Sequence, residues 1–268
     1  MRSLLLCLIA LFFTLKSHAV YLPLEVKGFD FNLDTGGSQL SFEKLSYESA
    51  GLKFLVNPQT INLTRTGAVL GYKNSDLELE FELGKEFKTM TKLEASGLDI
   101  LMELNKFSAV LDNLNWKSPS GSGFINTLNL SGVDNIAGKY PNAWENLLDA
   151  FTRNLVGSTP LIKFNKNVKI GNDRSGKAIE INQIKKAKLE LSNNMLKFTG
   201  KASGSLTIGL KFEGQVSYNG LEKKLVIRLD KAKAGFISIK GFVFDSIKDM
   251  KNPQIEVSPP YIKMKIRN

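Results

Sequence analysis

Strict alternation of apolar and polar residues is the dominant pattern along this chain. In segment 77–83, Leu-Glu-Leu-Glu-Phe-Glu-Leu, four apolar side chains share one face and three carboxylates share the other. A period of two residues predicts a half-buried β-strand, because successive side chains of a strand point to opposite faces. The alternation recurs in five further segments: 29–33, 189–191, 206–212, 226–229 and 262–266.

Turn-forming residues separate these segments. Ser-Asn-Asn at 192–194, Tyr-Asn-Gly at 218–220 and Ser-Pro-Ser-Gly at 118–121 lie between alternating runs. Short connections of this kind join antiparallel neighbours in hairpins or a meander. The pattern therefore predicts a mostly β (α+β) fold with a long curved antiparallel sheet.

Two segments carry a helical period instead. Apolar residues recur three to four positions apart across 141–156, at Trp144, Leu147, Leu148, Phe151 and Leu155. Pro141 suits the first turn of a helix and Gly157 suits its C-terminal cap. We therefore expect the sheet to wrap one amphipathic helix here, and a short second helix is predicted over 242–250.

Residues 1–19 predict a secretory signal peptide. Arg2 supplies a positive charge, residues 4–15 form a short apolar core, and Ser17-His18-Ala19 fits the small-x-small cleavage rule. The apolar core is shorter than the ~20 residues of a membrane-spanning helix, which favours cleavage before Val20 over a retained anchor. We expect an exported protein, periplasmic or secreted.

The only cysteine and the only histidine, Cys7 and His18, both lie in this leader. The mature chain would then contain no thiol nucleophile, no imidazole for a Ser-His-Asp triad and no Cys or His ligand for a structural zinc. Disulfides are excluded for the same reason. We expect a protein that is not an enzyme and that uses neither a metal nor a cofactor.

Charge divides the mature chain near the Gly-containing run 132–141. Segment 20–138 holds 10 basic and 15 acidic residues, a net charge of −5, whereas segment 139–268 holds 24 basic and 11 acidic residues, a net charge of +13. We interpret them as an acidic β lobe and a basic lobe of helix and β-meander. In an exported protein a basic lobe favours lipid or a membrane surface over nucleic acid as partner, and a merely solvated basic surface is equally open.

Two catalytic motifs match in spacing but not in context. Residues 171–177 fit the P-loop pattern G-x4-G-K, but Ala178 replaces the hydroxyl residue and strand-like flanks favour a hairpin turn. Asp34-Thr35-Gly36 matches the catalytic tripeptide of aspartic peptidases. A dimeric peptidase that pairs two copies of Asp34 is a remote alternative, because Asp-Thr-Gly-Gly is also an ordinary turn.

Segment 139–268 resembles the tubular lipid-binding (TULIP) superfamily, including its small exported LmeA-like members. The resemblance rests on the order of helix 141–156, meander 177–230 and tail 242–266. The short strands of 20–138 resemble, to a lesser degree, the elongated β-grooves of AsmA-like envelope lipid-transport proteins. Both resemblances imply a curved sheet with an apolar groove for acyl chains.

The resemblance implies a groove lined by the helix and by one strand of the meander. Its lining would consist of Trp144, Leu147, Leu148, Phe151, Leu155, Leu206, Ile208, Leu210 and Phe212. A rim that attracts a phosphate head group would consist of Lys185, Lys186, Lys188, Lys223 and Lys224. We expect a non-enzymatic envelope protein that binds or shuttles lipid. The alternative is a structural or protein-interaction β protein with a fully packed core.

Overall fold

The computed structural model describes residues 23–49, 52–67, 69–73, 75, 78–82, 89–103, 106–119, 121–132, 139–140, 143–172, 175–249 and 253–266. Within these ranges the protein is mostly β, with two short helices on one long, open, curved antiparallel sheet. This architecture confirms the predicted fold class. The predicted leader lies outside the described residues.

Ten strands precede the first helix in the described part of the chain. They are β1 (Leu24–Asp34), β2 (Gly37–Phe42), β3 (Lys44–Ser49), β4 (Leu52–Val56), β5 (Gln59–Thr66), β6 (Val69–Lys73), β7 (Glu78–Glu82), β8 (Lys92–Glu103), β9 (Lys106–Ser118) and β10 (Gly121–Gly132).

Helix α1 (Ala143–Arg153) leads directly into the second series of strands. These are β11 (Asn154–Asn172), β12 (Ala178–Ser192), β13 (Met195–Gly204), β14 (Thr207–Asn219), β15 (Lys224–Ala234) and β16 (Ile237–Ser238). Helix α2 (Lys240–Asp249), β17 (Ile255–Ser258) and β18 (Tyr261–Lys265) complete the described chain.

The strands follow one another across the sheet as a meander. From β8 to β15 each strand pairs with the next, and β18 and then β17 extend the sheet beyond β15. At the other end β8 pairs with β1, whose far edge is shared by β2 and β3. Strands β5, β6 and β7 continue from β2, and β4 continues from β3. Because β10 pairs with β11, the sheet runs unbroken across the boundary predicted from charge.

Side-chain alternation gives the sheet two chemically different faces. In β14 the apolar residues Leu210, Val216 and Tyr218 are buried, whereas Lys211 and Ser217 are exposed. We call the face that carries Leu210 the inner face, and the opposite one the outer face. The burial follows the period that the sequence predicts for a half-buried strand.

In six neighbouring strands, the alternation of inner-face and outer-face residues is interrupted by one extra residue, and these extra residues form one line across the sheet. At this line consecutive inner-face residues are three positions apart, as in Ala95 and Leu98 of β8. We call it the transverse row; it consists of Gly28, Gly97, Asp112, Thr127, Pro160 and Lys186. Four of these residues have positive φ angles, from 46° at Thr127 to 63° at Gly97. The register from β8 to β12 passes through the row unchanged, because every strand carries its extra residue at the same level.

Two aspartates hold the transverse row where β1 meets β8. Asp99 Oδ1 accepts a hydrogen bond from the Gly28 N–H at 2.8 Å. Asp30 Oδ1 accepts one from the Gly97 N–H, also at 2.8 Å. The irregular backbone leaves one N–H of each strand outside the ladder. An aspartate of the neighbouring strand accepts a hydrogen bond from it.

Both helices lie on the inner face of the C-terminal half. Helix α1 packs on β11, β12 and β14, and α2 packs on β11, β15 and β17. The larger buried cluster joins Ile181 of β12 and Leu210 of β14 to Phe244 of α2. A smaller cluster of Phe42, Leu45 and Ile61 joins β2, β3 and β5.

The predicted end of the first helix is wrong. Helix α1 ends at Arg153, and Leu155 lies in β11 opposite Leu191. The Asn193 N–H donates to the Arg153 carbonyl at 2.7 Å, and the β11–β12 ladder begins at the next residue. Pairing with a distant strand therefore replaces the last helical turn that local periodicity predicts. The second predicted helix is confirmed as α2, with its start at Lys240.

Two motif segments occupy the turns of hairpins. The strands on either side of the P-loop-like segment pair through Gly171 and Ile179, which confirms the hairpin; residues 173–174 lie outside the described residues. Asp34 is the last residue of β1, directly before the turn to β2. Its Oδ1 accepts hydrogen bonds from the N–H groups of Gly36 at 2.7 Å and Gly37 at 3.0 Å.

We predict that Gly97→Ala lowers the free energy of unfolding by about 1–3 kcal/mol. The φ of Gly97 is +63°, and an added Cβ would overlap the Asp112 carboxylate. Gly209→Ala is the matched control, because Gly209 has an ordinary φ and open space around its missing Cβ. Urea unfolding of both variants measures the difference, and equal stability of the two would contradict the role of the transverse row.

Candidate functional site

The inner face of β1, β8, β9 and β10 is a continuous apolar surface. Strand register places its side chains next to one another, so that Met102 of β8 lies between Leu24 of β1 and Phe107 of β9. We call the following set the open apolar face: Leu24, Val26, Phe29, Phe31, Leu33, Leu93, Ala95, Leu98, Ile100, Met102, Phe107, Ala109, Leu111, Leu114, Trp116, Gly123, Ile125, Leu128 and Leu130. None of these residues carries a charge.

Most of the open apolar face remains partly in contact with solvent. Leu33 and Ala109 are buried, at 0% and 8% exposure, and nearly all the other side chains are only half-buried. The helices pack mainly on β11, β12, β14, β15 and β17. Phe151 of α1 meets the ring of Phe107 with centroids 4.8 Å apart, so α1 reaches only the border of the face. A contiguous apolar surface of this kind is typical of a binding site for an apolar ligand or partner.

The outer face of the same strands has the opposite character. Its positions include Glu94, Asp99, Asp112 and Lys117, which alternate along the chain with members of the open apolar face. Lys92 pairs with Glu94 at 2.8 Å, and this hydrogen bond holds the pKa of Glu94 below its usual value. Charge is thus confined to one side of β8 and β9.

Several of the lining residues predicted from sequence belong to packed regions. Leu147 and Leu210 are each 5% exposed. Phe212 stacks on Phe198 with centroids 5.3 Å apart, and Ile208 packs against the same cluster. These side chains help to fill the space between the sheet and the two helices.

The other predicted lining residues lie in different surroundings. Leu148 and Phe151 are half-buried on α1, and Leu155 is half-buried in β11. Leu206, predicted within a strand, is 45% exposed in the turn between β13 and β14. The side chain of Trp144 lies outside the described part of the structure.

Sequence reasoning placed every named lining residue in the C-terminal half and none on the open apolar face. A signal was present, because apolar residues recur at every second position along β8 and again along β9, with one three-residue step in each strand at the transverse row. The sequence does not show where the helices pack on the sheet, and their position determines which apolar side chains are covered.

The first three predicted rim lysines lie on or beside the outer face of β12. Lys185 is paired with Lys201 across the β12–β13 ladder. Lys186 belongs to the transverse row, with a φ of 49°. Lys188 lies 3.8 Å from Glu190.

The other two predicted rim lysines lie where β14 turns into β15, among carboxylates. Lys224 Nζ lies 3.0 Å from Glu256 and 3.5 Å from Glu222, and its hydrogen bond to Glu256 raises the pKa of Lys224. Lys223 Nζ lies 3.9 Å from the Glu145 carboxylate. The structure therefore does not bring the five lysines together into one rim.

Helix α1 buries polar side chains together with its apolar ones. Glu145, Asn146, Asp149 and Thr152 are each no more than 7% exposed. Asn146 Oδ1 accepts hydrogen bonds from the N–H groups of residues 139 and 140, at 3.0 and 2.8 Å. Asp149 accepts from the Lys139 ammonium at 3.1 Å and from Arg153 Nε at 3.2 Å. These bonds attach the helix to the segment that leads into it.

Tyr218 lies beside this polar group. Its hydroxyl is buried and has no hydrogen-bond partner among the described residues. Its ring meets Tyr140 edge-on at 5.4 Å. Burial and the negative charge of Glu145 raise the pKa of Tyr218 to about 12.

No protein-family model, curated protein or solved structure matches this chain. In the described ranges, neither helix has the length and apolar character needed to cross a membrane. The same ranges contain no group of three or more Asp, Glu, His or Cys side chains arranged to hold a metal ion. The open apolar face is the candidate site because its apolar side chains are contiguous and half-exposed.

We predict that the folded state loses stability as the pH rises from about 10 to 12. The phenol of Tyr218 is protonated in both states below its unfolded pKa of 10.0. Above that pH the unfolded chain releases the proton while the folded state retains it, so unfolding becomes more favourable by on the order of 1 kcal/mol at pH ~11. Urea midpoints of wild type and Tyr218→Phe, measured across this range, test the prediction. The decline should be smaller in Tyr218→Phe, and equal declines would contradict it.

Proposed function

We propose that this protein is a non-enzymatic, exported cell-envelope protein that binds or shuttles lipid by holding acyl chains on its open apolar face. The observation that carries the proposal is an uncharged inner surface, continuous over β1, β8, β9 and β10, whose side chains remain half-exposed. Globular cores normally remove such side chains from water. A bound acyl chain would do so here.

Hydrophobic burial is sufficient to drive this binding. Each methylene that leaves water contributes about 0.8 kcal/mol, and the protein surface it covers contributes about 25 cal/mol per Å². The face offers aliphatic and aromatic side chains such as Ile100, Leu111 and Trp116, with no buried carboxylate or ammonium to desolvate. An acyl chain is therefore favoured over a polar or charged ligand.

Export and charge support the envelope as the place of action. The leader predicted at 1–19 directs the chain out of the cytoplasm, and the +13 charge of 139–268 favours anionic lipid surfaces. A helix followed by a long meander is also the order on which we propose kinship with TULIP and AsmA-like lipid-handling proteins. We propose no role for nucleic acid, metal or cofactor.

We predict that Leu111→Gln weakens binding of a fluorescent acyl probe about tenfold, because the amide would be desolvated on the open apolar face. Leu111 lies on the inner face of β9 and neighbours Leu128 across the ladder. Val110→Gln is the matched control, because Val110 is the adjacent residue of the same strand, lies on the outer face and is 38% exposed. Fluorescence titration of detergent-free protein gives the two affinities.

Native mass spectrometry of the same preparation provides an independent readout. Wild type and Val110→Gln should carry lipid that Leu111→Gln has lost. Wild-type protein with neither co-purified lipid nor probe uptake would overturn the proposed function and favour a structural or protein-interaction role. Circular dichroism and urea midpoints establish that both variants fold.

A further inference from the structure

Two exposed apolar side chains lie together at one end of the C-terminal half of the sheet. Phe236, in the turn between β15 and β16, is 90% exposed, and Leu206, in the turn between β13 and β14, is 45% exposed. The turns are neighbours, because the Gly235 N–H donates to the Gly209 carbonyl at 2.8 Å. We call this end, with Leu206 and Phe236, the apolar tip.

The backbone directs Phe236 away from the core. Gly235, with a φ of +59°, reverses the chain directly before it, and Ile208 occupies the space beside Gly235. Ile239, three residues later, is 5% exposed in the large core cluster. Phe236 is therefore an exposed aromatic on a turn whose two sides are anchored.

Unneutralised lysines lie beside the apolar tip. Lys233 is the third residue before Phe236, and Lys201 lies opposite Gly209 in the β13–β14 ladder. Neither ammonium has an ion-pair partner among the described residues. Lys211, which faces Lys233 across the β14–β15 ladder, is instead paired with Glu213 at 2.6 Å. Lysines 211 and 231 hold the pKa of Glu213 down to about 2, so the nearby carboxylate is already occupied.

The opposite end of the sheet has an exposed apolar residue without such charge. Leu221, in the turn between β14 and β15, is 99% exposed. The adjacent Lys223 and Lys224 are neutralised by Glu145, Glu222 and Glu256. The apolar tip therefore differs from this turn, because it combines an exposed aromatic side chain with lysines that have no ion-pair partner among the described residues.

We propose that the apolar tip is a membrane-docking site that inserts Phe236 and Leu206 into the interface of an anionic bilayer. Exposed Phe and Leu side chains of interfacial segments bury in the boundary between head groups and acyl chains, where their apolar surface leaves water. Lys201 and Lys233 then lie close to the lipid phosphates, and each contributes on the order of fivefold in affinity for an anionic surface. The proposal extends the lipid-carrier function but does not depend on the open apolar face, from which the tip is separated by β11 and β12.

Vesicle sedimentation tests the proposal with two kinds of vesicle: phosphatidylcholine alone, and phosphatidylcholine mixed with phosphatidylglycerol. Wild type should bind the mixed vesicles, and added salt should weaken the binding. Phe236→Ser should bind them about tenfold more weakly. The double variant Lys201→Gln, Lys233→Gln should lose the preference for phosphatidylglycerol. Leu221→Ser is the matched control and should bind like wild type.

Acyl-probe titration of the same variants separates this proposal from the proposed function. Phe236→Ser should retain wild-type probe affinity while losing vesicle binding. Absence of vesicle binding by wild type, or an equal loss in Leu221→Ser, would overturn membrane docking whatever the probe titration shows. Wild-type self-association that Phe236→Ser abolishes would overturn it as well, because the tip would then contact a second copy of the chain.

Discussion

Antiparallel backbone pairing in a continuous register is the constraint on which the rest of this structure depends. A slip of one residue between two strands would exchange their inner and outer faces. The transverse row respects that constraint, because neighbouring strands carry their extra residue at the same level. At the row, Asp30 and Asp99 accept the N–H groups of Gly97 and Gly28. The result is one sheet whose inner face stays predominantly apolar from β1 to β15.

The same face serves two purposes along its length. Under α1 and α2 it forms a packed core, with side chains such as Ile181 and Leu210 almost fully buried. Over β1, β8, β9 and β10 it remains open. The helices thus cover the face in the C-terminal half, while most of its side chains over β1, β8, β9 and β10 are only half-buried. Continuity through the β10–β11 pair joins the two parts into a single sheet.

Ion pairs across the sheet determine which lysines keep an unpaired positive charge. Glu213 forms ion pairs with two outer-face lysines, Lys211 and Lys231, and Glu256 pairs with Lys224. The positive charge that remains free beside the apolar tip is at Lys201 and Lys233. Segment 139–268 has a net charge of +13. Its excess positive charge lies at basic side chains that have no carboxylate neighbour. That distribution distinguishes the apolar tip from the opposite end of the sheet.

The sequence by itself determined the class of fold, the strands with strict alternation such as β1, β12 and β14, α2 and the hairpin at 171–177, because alternation and turn chemistry act over a few neighbouring residues. Tertiary structure decided where α1 ends, since Leu155 pairs with Leu191 in a strand that local periodicity cannot foresee. It also decided which apolar residues are covered: Leu114, between two asparagines, and Leu210 both fit the alternating pattern, but only Leu210 joins the core cluster that contains Phe244 of α2. The physical reason is that contacts between residues far apart along the chain determine which apolar side chains are covered and which lysines have a carboxylate partner.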